Sequence, residues 1–130
     1  MAKKPFISIV DDDASAREGT VDLIQASGFA AEGFQGSIDF LNSKHLSNTS
    51  CLIMDVRMPG MTGLELHDHL TETGNIIPTI LLTAYPNEVD RARALRSGVI
   101  CYLTKPYSQD DLLSCVRSAL GLHNGGCGSC

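Results

Sequence analysis

The sequence is short of positive charge: ten Lys and Arg face fifteen Asp and Glu, a formal net charge of −5 at pH 7. A domain that holds nucleic acid by neutralising phosphates needs the opposite balance, so direct nucleic-acid binding by this chain is not expected. Long hydrophobic runs are also missing. No apolar stretch approaches the roughly 20 residues of a membrane helix, and the opening Met1-Ala2-Lys3-Lys4-Pro5 leads into no signal-peptide core. A cytoplasmic chain without membrane attachment is the expectation. Five cysteines are present, but not as a disulfide or zinc framework. Cys51, Cys101 and Cys115 stand singly among apolar neighbours, as small buried or half-buried side chains do in a reducing compartment. Cys127 and Cys130 form one Cys-Gly-Ser-Cys pair in a glycine-rich end with no second pair beside it, which points to a flexible tail and not to a redox or metal centre.

What is present is 130 residues, 43% of them hydrophobic, enough for one domain with a sizeable core. Residues 1–121 are expected to form that domain and residues 122–130 the tail. Five short apolar runs alternate with helical stretches: residues 6–10, 30–34, 50–54, 76–83 and 100–104. Ala16, Thr20, Leu23 and Ile24 mark the first helix, closed by Gly28. Residues 37–41 suggest a short second helix capped by Ser37. Leu66, His67 and Leu70 mark the third, after a loop containing Pro59, Gly60 and Gly63. The fourth runs from the cap Asn87 to Gly98 with a thin apolar stripe, suggesting a loosely held element. The fifth carries Leu112, Leu113, Val116, Ala119 and Leu120. Near-continuous apolar strands alternating with helices predict an α/β fold, a doubly wound parallel sheet covered on both faces.

In such a sheet ligands bind beyond the carboxyl ends of the strands. The first strand ends at Asp11 and Asp12, the third at Asp55, the fourth at Thr83 and the fifth just before Lys105. Three carboxylates, a hydroxyl and an ammonium are therefore expected at one edge. Carboxylates gathered in one cleft repel unless a cation shares the site. Oxygen donors without His or Cys favour magnesium, with manganese as a possible substitute. Lys105 and Thr83 suit phosphoryl oxygens. His67 and His69 are two residues apart, so one helix cannot aim both at one metal. His45 and His123 lie in polar surroundings and are expected to be solvated.

These motifs, Val10-Asp11-Asp12, then Asp55-Val56-Arg57-Met58-Pro59-Gly60-Met61-Thr62-Gly63, Thr83-Ala84 and Lys105-Pro106, make the chain resemble the response-regulator receiver family of two-component signalling over residues 5 to about 121. The sequence Asp-Val-Arg-Met-Pro-Gly-Met, with Leu-Thr-Lys-Pro-Tyr, is similar to the nitrogen-fixation (FixJ-like) branch. The resemblance implies a flavodoxin-like (βα)5 domain with strand order 2-1-3-4-5. It implies that Asp55 is the phosphoacceptor for a sensor histidine kinase or phosphotransfer protein. Asp12, Asp55 and the backbone carbonyl of Arg57 would bind the metal directly, and Asp11 through a water. Lys105 and Thr83 would bind the phosphoryl oxygens, and Thr83 with Tyr102 would form the switch. Arg57 and Tyr85 occupy positions that tune phosphoryl lifetime in relatives, and the Lys105–Pro106 bond is implied to be cis, aiming Lys105 into the site. Asp13 is given no role beyond starting the helix.

The implied output is a surface of the fourth helix, fifth strand and fifth helix, offered to a downstream protein or a second copy. The chain would then be a signalling domain, phosphorylating only itself, either standing alone or separated from a DNA-binding output; the ten residues after the fifth helix are too few to hold one. A magnesium-dependent aspartyl phosphatase is the alternative, but Arg57 stands where such enzymes need a second acid. A flavin carrier would need a Ser/Thr-rich phosphate loop where Asp11, Asp12 and Asp13 lie.

Overall fold

The computed structural model describes residues 5–121. The expected tail, with Cys127, Cys130 and His123, lies outside them. Strands β1 (Phe6–Val10), β2 (Ala30–Phe34), β3 (Cys51–Asp55), β4 (Thr79–Thr83) and β5 (Cys101–Thr104) form one parallel sheet in the order β2-β1-β3-β4-β5. Helices α1 (Ala14–Ala26), α2 (Ser37–Leu41), α3 (Gly63–Glu72), α4 (Glu88–Arg96) and α5 (Gln109–Ala119) connect and follow the strands. The flavodoxin-like doubly wound architecture is thus present.

The apolar strand runs follow from burial on both faces, because successive side chains point to opposite sides. Ile7, Ile9, Cys51, Ile53, Ile80 and Leu82 meet Ile24 of α1 and Leu112, Cys115 and Val116 of α5. Val10, Leu52, Met54, Leu81 and Tyr102 meet Phe40 of α2, Leu64, Leu66 and Leu70 of α3, and Ala94 of α4. Only Ala94 of α4 is buried, in keeping with its thin stripe. The α4 cap is as expected, with Asn87 Oδ1 accepting from the Val89 and Asp90 N–H groups. Gly28 and Gly98 end α1 and α4, each at φ 97°.

Several local expectations need correction. Gly36, not Ser37, caps α2: Ser37 is already helical, and its hydroxyl donates to the Met61 carbonyl at 3.1 Å. Strand β4 starts at Thr79 and not at residue 76, because Pro78 has no N–H for the ladder and Ile76 faces solvent. Strands β3 and β5 each begin one residue later than expected, and β3 includes Asp55. A 3-10 turn at Leu46–Asn48 carried no sequence signal. His45 is not simply solvated: its ring stacks on Phe6 with centroids 4.4 Å apart, and Nε2 lies 3.3 Å from Glu32 Oε1.

Helix α3 has a start signal that its apolar stripe conceals. Thr62 Oγ1 accepts from the Glu65 N–H while Glu65 Oε1 accepts from the Thr62 N–H, a capping box. Gly63 follows, and its N–H donates to the Val56 carbonyl. A Cβ on Gly63 would stand 2.7 Å from the Asp55 carbonyl oxygen and 3.1 Å from a Leu81 methyl. The missing side chain therefore lets α3 begin directly beneath the loop that follows Asp55. Gly63→Ala should destabilise the chain by roughly 1–3 kcal/mol through this overpacking. Urea unfolding checks it, and an unchanged midpoint would show that the contact yields freely.

Candidate functional site

Strand register explains how residues far apart in sequence meet. Val10 pairs with Met54, so Asp11 emerges level with Asp55. Asp55 pairs with Leu82 and Thr83 with Thr104, so Thr83 and Lys105 follow at the next steps along the same edge. Carboxylate oxygens of Asp11, Asp12 and Asp55 lie within 4.8 Å of one another. Lys105 Nζ reaches between two of them, 3.0 Å from Asp55 Oδ2 and 3.5 Å from Asp11 Oδ2. The Lys105–Pro106 peptide is cis.

The three acids differ in surroundings. Asp11 is buried, and its Oδ1 accepts from the Asp13 N–H at 3.0 Å. Burial lifts the Asp11 carboxyl above its ordinary range, against the pull of that N–H and of Lys105, and the Asp55 charge lifts it further. Asp12 is exposed. Asp55 is half-buried, with Oδ1 accepting from the Arg57 N–H at 3.1 Å. Burial alone would lower the Lys105 ammonium, but its hydrogen bond to Asp55 and the charges of Asp11 and Asp55 hold it above the usual value. Lys105 therefore stays cationic at neutral pH.

Three clustered carboxylates face one ammonium, and the two negative charges left over match a divalent cation. With oxygen donors alone the set fits magnesium. Asp13 caps α1 instead of joining the cluster, its Oδ1 accepting from the Ser15 and Ala16 N–H groups. Thr83 is buried at the end of β4, its hydroxyl oxygen accepting from the Tyr85 N–H at 3.0 Å. That leaves the hydroxyl proton available to an acceptor. Arg57 and Tyr85 meet over the cluster's rim, the guanidinium carbon 5.3 Å from the ring centroid. Tyr102 faces the α3/α4 side of the sheet, buried, and its hydroxyl has no hydrogen-bond partner among the described residues.

Sequence reasoning missed Arg17 altogether and placed Gly63 in the loop without its packing role. Arg17 Nη1 donates to the Asp11 carbonyl at 2.9 Å, while its stem lies where a side chain on Gly33 would stand. Gly63 performs the equivalent service beneath Asp55. Both act on backbone, so neither leaves a spacing pattern. His67 is buried in α3 and His69 exposed on it, and neither joins the cluster.

The family model of the response regulator receiver domain matches residues 7–117. The chain belongs to the response regulator receiver family. It is similar to the response regulator protein TodT of Pseudomonas putida, 36% identical over 116 residues that cover 89% of this chain and 51% of the relative. The transcriptional regulatory protein FixJ of Bradyrhizobium diazoefficiens is 29% identical over 120 residues, covering 92% of this chain and 58% of FixJ. The solved structure of the response regulator StyR superimposes with a TM-score of 0.82 at 38% identity, covering 92% of this chain and 61% of that one. The chain thus spans about half the length of the curated relatives it matches. It is a response regulator receiver domain of two-component phosphorelay signalling, related to bacterial regulators that include FixJ. Among the described residues no helix is long and apolar enough to cross a membrane.

The raised Asp11 carboxyl has a consequence for stability. The folded chain holds that proton more tightly than the unfolded one, so Asp11 favours folding most below its ordinary value of 3.8 and opposes it as pH rises. Asp11→Asn should raise the thermal midpoint of the metal-free receiver at pH 7 more than at pH 4. A midpoint below wild type at pH 7 would mean that the contacts to Lys105 and the Asp13 N–H outweigh burial.

Proposed function

We propose that this receiver domain takes a phosphoryl group from a phosphohistidine of a sensor histidine kinase or phosphotransfer protein onto Asp55. The observation that carries the reading is the clustering of Asp11, Asp12 and Asp55 within 4.8 Å, with Lys105 Nζ 3.0 Å from Asp55 Oδ2. Asp12, Asp55 and the Arg57 carbonyl would hold Mg2+, or Mn2+ in its place, with Asp11 acting through a water. When bound, the ion neutralises the carboxylates and the charge on the phosphoryl oxygens.

Asp55 then acts as nucleophile: its carboxylate oxygen bonds to phosphorus as the phosphorus–nitrogen bond breaks, and the departing imidazole keeps that electron pair. Lys105, cationic and already beside Asp55, follows the charge onto the phosphoryl group. The Thr83 hydroxyl, buried one register step beyond Asp55, donates to a phosphoryl oxygen. Arg57 and Tyr85, stacked at the rim, control water's approach to the acyl phosphate and so its lifetime. Such transfer needs positioning and charge neutralisation more than further covalent help. The chain modifies only itself, so it is a signalling domain and not a turnover enzyme. An aspartyl phosphatase lacks support, because Arg57 stands where the second acid would be needed.

The new charge beside Thr83 is proposed to act through Tyr102 on the α4–β5–α5 surface. Its exposed apolar residues suit a downstream protein or a second copy: Val89 is 74%, Leu95 44% and Ile100 41% accessible. Residues 1–121 are proposed as the whole receiver unit, in the cytoplasm, with neither membrane nor nucleic acid as a direct partner.

Incubation of the chain with magnesium and acetyl phosphate, followed by intact-mass measurement, should add one labile phosphate. Asp55→Asn should abolish it, and persistent labelling of that variant would overturn the assignment. Asp12→Ala should weaken magnesium binding and labelling together by about tenfold or more, at least the loss that follows when a partner merely supporting a metal ligand is removed. Unchanged magnesium affinity would remove Asp12 from the metal.

A further inference from the structure

Cys101 on β5 and Cys115 on α5 are fourteen residues apart in sequence but meet on the α1/α5 side of the sheet, lining the same groove, with their sulfurs within hydrogen-bonding reach of each other. Both line a groove of about 520 Å³ whose walls include Arg91 and Leu95 of α4 and Ile100 before β5. Cys101 is half-buried, whereas Cys115 is 6% accessible and packs with Leu112 and Val116. A reagent entering the groove therefore meets Cys101 first, with Cys115 immediately behind it. We propose that Cys101 and Cys115 form a peroxide-oxidisable dithiol that closes into a disulfide between β5 and α5.

The chemistry is a two-step exchange. The Cys101 thiolate attacks one oxygen of a peroxide, the O–O bond breaks, and Cys101 becomes a sulfenic acid as hydroxide leaves and is protonated to water. The Cys115 sulfur then attacks the Cys101 sulfur and expels the sulfenic oxygen as a second water. Two thiols are oxidised by two electrons and one hydrogen peroxide is reduced. The hydrogen bond from Cys115 also draws the Cys101 thiol below its ordinary pKa, against the opposing effect of its burial, which favours the attacking thiolate.

Cys51 is the internal contrast. It is fully buried in β3, and burial pushes its thiol up to about 12. It should stay a thiol while the pair reacts. The bond would tie β5 to α5 at Cys101, the neighbour of Tyr102, and so fix one wall of the groove independently of any phosphate.

The chain lends itself to a direct test, because trypsin does not cut the Lys105–Pro106 bond. Cys101 and Cys115 then share the peptide 97–117, Cys51 lies in 45–57, and Cys127 and Cys130 lie in 118–130. The reduced full chain is treated with hydrogen peroxide, freed of peroxide, unfolded in guanidinium chloride, blocked with iodoacetamide, digested and weighed. The peptide 97–117 should become two hydrogens lighter and lose both alkylations together, with the alkylatable fraction falling about tenfold or more while Cys51 remains alkylated. Cys101→Ser should leave Cys115 fully alkylatable. The proposal fails if both cysteines stay alkylatable once Cys127 and Cys130 are oxidised. It also fails if Cys101 pairs instead with the tail, or if Cys101 ends as sulfinic acid with Cys115 untouched. No phosphate is read in this experiment, so its outcome is separate from that of the Asp55 assignment.

Discussion

The Lys105 ammonium, placed between Asp55 and Asp11, is the interaction on which the site turns. Without a cation there, the gathering of Asp11, Asp12 and Asp55 would be a repulsive cluster at the edge of an apolar sheet. The parallel fold compels the gathering, because it sends all five strands in one direction and delivers their ends to one edge. One positive charge relieves part of the repulsion and leaves a residual negative charge suited to a divalent ion. Asp11 shows the strain that persists, its buried carboxyl held above the ordinary range even with Lys105 and the Asp13 N–H in reach. The backbone is braced accordingly, by Arg17 on the Asp11 carbonyl and by the bare Cα of Gly63 beneath Asp55.

Much of this was legible in the sequence because strand termination is a one-dimensional signal. Apolar runs ending at Asp11, Asp55 and Thr83, or just before Lys105, name the residues at the sheet edge whatever their exact register. Boundaries were less legible where side chains had tertiary duties. Ser37 looks like a cap until its hydroxyl is seen tied to Met61, 24 residues away. Ile76 and Ile77 look like strand residues, yet Pro78 interrupts the ladder and leaves Ile76 in solvent. His45 looked solvated because its partners, Phe6 and Glu32, come from other parts of the chain. Arg17 leaves no mark in the sequence and Gly63 reads only as a loop glycine, because each acts on a backbone atom.

Alternation along β5 separates two kinds of chemistry on one four-residue strand. Tyr102 faces the α3/α4 side, next to Ala94 and Leu81, and is the proposed reporter of charge at Thr83. Cys101 and Leu103 face the α1/α5 side, where Cys115 waits. A strand that bears the proposed reporter aromatic on one face and a thiol on the other offers two inputs to the same exposed α4–β5–α5 surface. The apolar stripe of α5 understated this, since Cys115 is one of its three buried residues and would be skipped by a count of aliphatic positions.

If the sheet edge is a built cation site, Asp11, Asp12 and Asp55 must hold one ion together. The most direct measurement is a magnesium titration of the full chain followed by backbone amide chemical shifts. One saturable transition is expected, with shifts that concentrate at Asp11, Asp12, Asp13, Asp55, Val56 and Arg57 and fade along the strands. Shifts that never saturate, or that spread over the other acidic residues without favouring these six, would contradict it.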